Sequence, residues 1–176
     1  MRRGFMPRAN VTDKSVAGLR AQKQGKTAEE QILEIGAFYL QHGIAEISKR
    51  YEPYKRVGAG KNCFRAVYAE KSGCDFELWL PNGKAGYLEC KSREGMRIQK
   101  SAIDPFQAEQ LDRRLAWGQL AIVLVRLDNA WFICSWQKFR DYEKKSFTVA
   151  DLLAVGKPVP MIANLLPDFI KVLDQL

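Results

Sequence analysis

The sequence contains one histidine, His42, among 176 residues. A single imidazole cannot build a two- or three-histidine metal site, so zincin-type hydrolases and multi-histidine nucleases are excluded. No Gly-x-Ser-x-Gly elbow is present to partner His42 in a serine triad. Cysteine is scarce as well. Cys63, Cys74, Cys90 and Cys134 form no C-x-x-C pair, which leaves a structural zinc site without support. Three of them lie among apolar, strand-like residues and read as reduced, buried thiols of a cytosolic protein. No apolar run approaches the roughly 20 residues that span a bilayer. The basic start Met1-Arg2-Arg3-Gly4-Phe5 is not followed by an apolar signal core, so secretion is not expected and the expected location is cytoplasmic.

Acidic charge is also short. Lys and Arg number 28 against 20 Asp and Glu, a net charge of +8, and the pI is 9.4. That balance favours a polyanionic partner, of which nucleic acid is the commonest. The excess is uneven. Arg2, Arg3, Arg8, Lys14, Arg20, Lys23 and Lys26 face one acid, Asp13, in the first 26 residues. A second basic stretch holds Lys49, Arg50, Lys55, Arg56, Lys61 and Arg65, with Tyr54 set among the cations. A third holds Lys91, Arg93, Arg97 and Lys100. Lys55, Arg56, Tyr54, Arg93 and Arg97 are the candidate DNA contacts, and contacts to backbone phosphates predict salt-sensitive binding.

Length favours one folded unit. The expected organisation is a flexible basic arm over residues 1–24 and a single domain over 25–176. Thr27 reads as a helix cap with Glu29 and Glu30 in the first turn. Apolar residues from Ile32 to Leu40 follow at helical spacing, and His42-Gly43 closes the helix. Residues 45–51 and 63–69 read as strands, and 52–62 as a loop or extended hairpin. Asp75 to Leu80, the turn Pro81-Asn82-Gly83 and Lys84 to Lys91 read as a β-hairpin. A helix over 103–115, a buried strand over 120–127, a strand over 131–136 and a short helix over 149–155 complete the pattern. That order predicts an α/β fold with a central mixed β-sheet flanked by helices.

Glu89 and Lys91 are two apart on the return strand, so their side chains share a face. Two hairpin registers are open. A three-residue loop pairs Leu80 with Lys84 and sets Asp75 across from Glu89. A two-residue Asn-Gly turn sets Asp75 across from Cys90 and points Glu89 the other way. In the first register two carboxylates oppose each other, which destabilises a sheet unless a cation sits between them. Oxygen ligands of this kind suit Mg²⁺. Trp79, Trp117, Trp131 and Trp136 read mostly as core or dimer-interface residues, and Arg113-Arg114 as a solvated helix face.

The segments Ser72-Gly73-Cys74-Asp75-Phe76, Tyr87-Leu88-Glu89-Cys90-Lys91 and Asp104-Pro105-Phe106-Gln107 resemble the PD-(D/E)XK nuclease superfamily. Within it they are most similar to the RecU-type Holliday junction resolvases of bacteria and their phages. The tail segment Leu166-Pro167-Asp168-Phe169-Ile170-Lys171-Val172 resembles that family too, and the likeness runs from about Gly25 to the end. The resemblance implies a metal-dependent endonuclease acting on four-way DNA junctions in recombination and repair, without a membrane, as a homodimer. Asp75, Glu89 and Gln107 would hold Mg²⁺ (or Mn²⁺), Lys91 would support the transition state, and Glu29 would match the first-helix glutamate, with Glu30 competing for that role. The sequence departs from the family in three places. Gly73 stands where a metal-binding threonine is usual, Phe106 where a histidine is usual, and Tyr51 to Arg56 occupies the place of the junction-entering stalk. Two alternatives remain: a PD-(D/E)XK endonuclease for linear or nicked duplex, and a non-catalytic DNA-binding module.

Overall fold

The computed structural model describes residues 27–51, 54–59, 64–68, 73–163 and 165–176, with backbone alone for 54–59 and 64–68. The basic arm expected over residues 1–24 lies outside the described residues, as do Cys63 and the side chains of Tyr54, Lys55 and Arg56.

The first helix, α1 (Ala28–Gln41), starts where the sequence supplies a capping box: Thr27 Oγ1 accepts from the Glu30 amide and Glu30 Oε2 accepts from the Thr27 amide. It ends at His42, whose Nδ1 lies 2.8 Å from the Phe38 carbonyl oxygen. The single histidine is thus a helix-terminus residue. β1 (Glu46–Lys49) follows, then β2 (Tyr54–Ala59) and β3 (Phe64–Tyr68), which pair antiparallel. The described part of the stretch over 52–62, residues 54–59, is therefore a paired strand rather than a plain loop.

The central sheet has six strands in the order β1–β4–β5–β7–β8–β10. Its further strands are β4 (Phe76–Trp79), β5 (Ala85–Arg93), β7 (Leu120–Leu127), β8 (Ala130–Ser135) and β10 (Gly156–Pro158). β5 and β7 run parallel and the other neighbours antiparallel, so the sheet is mixed. The crossover between the parallel pair contains β6 (Arg97–Gln99) and α2 (Pro105–Ala116). β6 pairs with β9 (Ser146–Thr148) outside the sheet. Three short helices complete the flanks: α3 (Trp136–Asp141), α4 (Val149–Val155) and α5 (Ile170–Leu173).

Strand alternation divides the core into two layers. Leu88, Cys90, Ile122, Leu124 and Ile133 face Ile32, Ile35 and Tyr39 of α1. Tyr87, Val123, Val125, Phe132 and Cys134 face Leu111 of α2, Phe139 of α3 and Leu152 of α4. Covering both faces explains the nearly continuous apolar run Leu120–Leu127, broken by Arg126. The tail closes the first layer. The Tyr39 hydroxyl donates to Asp168 Oδ1 at 2.8 Å, and Phe169 packs edge-on against the Tyr39 ring. Among the described residues no helix is long and apolar enough to cross a membrane.

Candidate active site

The hairpin adopts the three-residue loop. The Leu80 amide donates to the Lys84 carbonyl (2.8 Å) and the Gly83 amide to the Leu80 carbonyl (3.0 Å). Gly83 has φ +83°, a left-handed conformation that glycine adopts without a Cβ penalty. The register pairs Phe76 with Leu88, so Asp75 comes opposite Glu89 at the mouth of β4. Asp75 is fixed there by backbone on both sides. Its carbonyl accepts from the Arg50 amide and its Oδ2 from the Cys90 amide, each at 2.8 Å.

Glu89 has no solvent exposure. Among the described residues, neither of its carboxyl oxygens accepts a well-aligned hydrogen bond. Lys91 Nζ lies 2.6 Å from Oε1, and its charge partly offsets that of the buried carboxyl. Burial, with the Asp75 charge second, pushes the Glu89 carboxyl up to about 8. Burial raises Asp75 as well, against the Cys90 amide and the Lys91 charge, which lower it. Two carboxyl groups share one desolvated place and are short of compensating charge. Lys91 also donates to Gln107 Oε1 at 3.1 Å.

Gln107 reaches this place because α2 starts there. Asp104 caps the helix with Pro105 in its first turn, and Gln107 is the third residue of a capping box, its Oε1 accepting from the Asp104 amide at 3.1 Å. One amide oxygen thus serves the helix start and the lysine together. Glu29, in the first turn of α1, pairs with Lys49 at 2.7 Å, and its charge reaches Asp75, where it raises the carboxyl. Glu30 is spent on the capping box. A cleft of about 350 Å³ opens beside Thr27, Glu29, Cys90, Ser92 and Arg126.

Other candidates fall away from this cluster. Arg93 is exposed at the end of β5. Arg97 is exposed on β6, where its Nη1 donates to Ser146 Oγ at 3.3 Å. Cys74, Cys90 and Cys134 are buried and free. Burial pushes all three thiols well above their ordinary range, which removes them as nucleophiles. Trp131 and Trp136 are buried, whereas Trp79 and Trp117 are exposed. Two arginines that were not among the site candidates lie on the Glu89 face: Arg50, from the second basic stretch, and Arg114, which was expected on a solvated helix face and turns inward to Tyr87 instead.

Gly73, two residues before Asp75, has φ +79°. A Cβ there would stand 3.0 Å from Gln110 Cγ and 3.7 Å from Arg50 Nη1. The backbone at this point is built for glycine, which accounts for the missing threonine. Gly73→Thr is expected to cost about 1–3 kcal/mol, read as a lower urea midpoint at unchanged slope. A threonine variant as stable as the parent would contradict this account of the departure.

Among the described residues no group of three or more His, Cys, Asp and Glu side chains stands together as a metal site. The donor set that is present still fits a hard cation. Mg²⁺ commonly takes one or two carboxylates and keeps several waters, and the two oxygens of Glu89, which accept no well-aligned hydrogen bond among the described residues, provide an anionic place for it beside Asp75.

A mixed sheet carrying an aspartate at the mouth of one strand and Glu-x-Lys on the next is the arrangement that the resemblance to the PD-(D/E)XK superfamily implies. A family model, recombination protein U (RecU), matches residues 23–175, and the chain belongs to that family. It is thereby a Holliday junction resolvase, an endonuclease of DNA recombination. No curated protein matches it in sequence. Among solved structures it is similar to Hjc of Archaeoglobus fulgidus, described as a Holliday junction resolvase from an archaeal hyperthermophile. That match has 16% identity and a TM-score of 0.48, over 74% of this chain and 95% of that one.

Proposed function

We propose that the chain cuts four-way DNA junctions by Mg²⁺-dependent hydrolysis, with Asp75 and Glu89 holding the cation and Lys91 acting at the phosphate. The observation that supports this most is Glu89: a fully buried carboxylate that accepts no well-aligned hydrogen bond among the described residues, opposite a second carboxylate and beside a lysine. A purely structural role would leave two buried, facing carboxyl groups with one lysine between them to balance their charge.

When bound, Mg²⁺ or Mn²⁺ polarises the scissile phosphodiester and acidifies water for attack. The rest is the work of this chain. The Arg50 amide holds the Asp75 backbone and the Cys90 amide holds its carboxylate, which keeps that carboxylate beside Glu89. Lys91 Nζ, steered by Gln107 Oε1, supplies positive charge where negative charge develops on the phosphoryl oxygens. Glu29 adds negative charge near Asp75 and strengthens the pull of the site on a cation. Cleavage proceeds by direct attack of water, without a covalent enzyme intermediate.

Gln107 is read here as the residue that positions Lys91, since its oxygen already accepts two hydrogen bonds. Gln107→Ala is expected to lower kcat roughly tenfold and stability by about 1 kcal/mol through the lost cap, with the Mg²⁺ requirement unchanged. A shifted Mg²⁺ dependence at constant kcat would make Gln107 a metal ligand instead. Two nicks related by a dyad require two sites, so the working form is a homodimer. The proposal is tested by titrating divalent cation into a cleavage reaction. Cleavage that needs Mg²⁺ and vanishes in Asp75→Ala supports it. DNA binding without metal-dependent cleavage leaves a binding module on a nuclease fold.

A further inference from the structure

The face of β5 that carries Lys91 and Glu89 continues to Tyr87, about 7 Å further back along the strand. Positive charge collects there. The guanidinium carbons of Arg50 and Arg114 lie 4.5 and 3.9 Å from the centre of the Tyr87 ring. Arg50 arrives from the end of β1 and Arg114 from the last turn of α2. Each carries one buried N–H without an acceptor, Nη1 in Arg50 and Nε in Arg114. The charged partner of Arg50 is Glu77, at 3.5 Å. Arg114 has neutral partners: Gln119 Oε1 at 3.1 Å, the Tyr87 hydroxyl and the Trp117 ring. Among the described residues, two cations thus share one ring, with unmatched donors and a single carboxylate in contact. Such a cluster is costly unless an anion arrives to accept from it. A pocket of about 110 Å³ opens on the Arg114 side of the ring, lined by Glu77, Trp79, Gly86, Tyr87, Arg114 and Gln119.

We infer that Arg50 and Arg114, seated on Tyr87, form a binding site for a backbone phosphate of the cut DNA strand, next to the phosphate that is cleaved. The inference rests on the nuclease reading of Asp75, Glu89 and Lys91. A phosphodiester is the favoured anion because guanidinium forks match its oxygens, and because the site continues the row that carries the chemistry.

The test measures junction affinity of the full chain in Ca²⁺ across a salt series, for the parent, Arg50→Gln, Arg114→Gln and Arg114→Lys. Each glutamine variant is expected to bind roughly 5- to 30-fold more weakly and to flatten the slope of log Kd against log salt by about one. The thermal shift caused by divalent cation without DNA stays as in the parent. A methylphosphonate placed beside the cut weakens the parent similarly and costs Arg114→Gln nothing further. Folded glutamine variants with unchanged Kd and slope would overturn the inference. If those variants do not fold, the methylphosphonate scan on the parent decides, and indifference to every phosphate beside the cut overturns it. A thermal midpoint that rises with inorganic phosphate in the parent alone, with DNA affinity equal in parent and variants, assigns the site to free phosphate and overturns it too. Failure of the nuclease reading is separate: the parent then cuts nothing in Mg²⁺, while the difference in salt slope persists.

Discussion

Glu89→Gln removes cleavage, on the order of 10³-fold, and at the same time stabilises the metal-free protein. The two effects have one cause. Glutamine keeps the shape of the buried side chain and discards its charge. In the parent the Glu89 carboxyl is raised from 4.5 to about 8 by burial and by Asp75. Below about pH 4.5 the group is protonated in folded and unfolded chains alike and has no effect on stability. Between about 4.5 and 8 the unfolded chain ionises first, so the folded state loses stability as pH rises. The loss reaches a few kcal/mol by pH 8. The metal-free parent is therefore expected to lose thermal midpoint steadily from pH 5 to pH 8, and Glu89→Gln to lose much less. Added Mg²⁺ restores the parent and leaves the variant unchanged. Unfolding scans in chelator and in Mg²⁺ across that pH range measure all of this. A variant less stable than the parent at pH 8 would mean that Glu89 is a structural ion-pair partner of Lys91 and not a site waiting for a cation.

The second large effect is that of Lys91→Ala. Its ammonium group touches Glu89 and Gln107, and its charge lowers both Glu89 and Asp75. Removing it is expected to slow cleavage by about 10²–10³-fold at saturating Mg²⁺. It also lets Glu89 hold its proton to higher pH, so Mg²⁺ competes less well near neutrality. The two losses separate in a pH series. The Mg²⁺ requirement recovers as pH rises above 8 and Glu89 ionises, whereas kcat stays low because the missing charge acts at the phosphate. Full recovery of kcat at high pH would reduce Lys91 to a partner of Glu89 alone.

Much of the route to this site is local and so can be read from the chain. Pro81-Asn82-Gly83 marks the turn and narrows it to two registers, and the three-residue loop that the structure adopts sets Asp75 across from Glu89. Thr27 with Glu30, and Asp104 with Gln107, mark the two helix starts through capping boxes only three residues long. What is hidden depends on contacts between distant segments. Arg113 and Arg114 are adjacent in sequence, yet Arg113 pairs with Glu109 on the exposed side while Arg114 turns to Tyr87, 27 residues away. Neighbouring helix positions differ by about 100° in direction, and nothing local says which of the two meets the sheet. The pairing of β6 with β9 joins three-residue strands some fifty residues apart, too short and too distant to leave a pattern. It draws Arg97 toward Ser146 and away from the carboxylates. The reason for Gly73 is hidden in the same way, since Gln110 and Arg50 are what a side chain there would strike.

The most direct measurement is cleavage of an end-labelled four-way junction in Mg²⁺, with an equal amount of linear duplex as competitor and Asp75→Ala as control. The account predicts paired symmetric nicks in the junction, little cutting of the duplex, and neither product from Asp75→Ala. Cutting of the duplex in preference to the junction, or nicks that persist in Asp75→Ala, would contradict it.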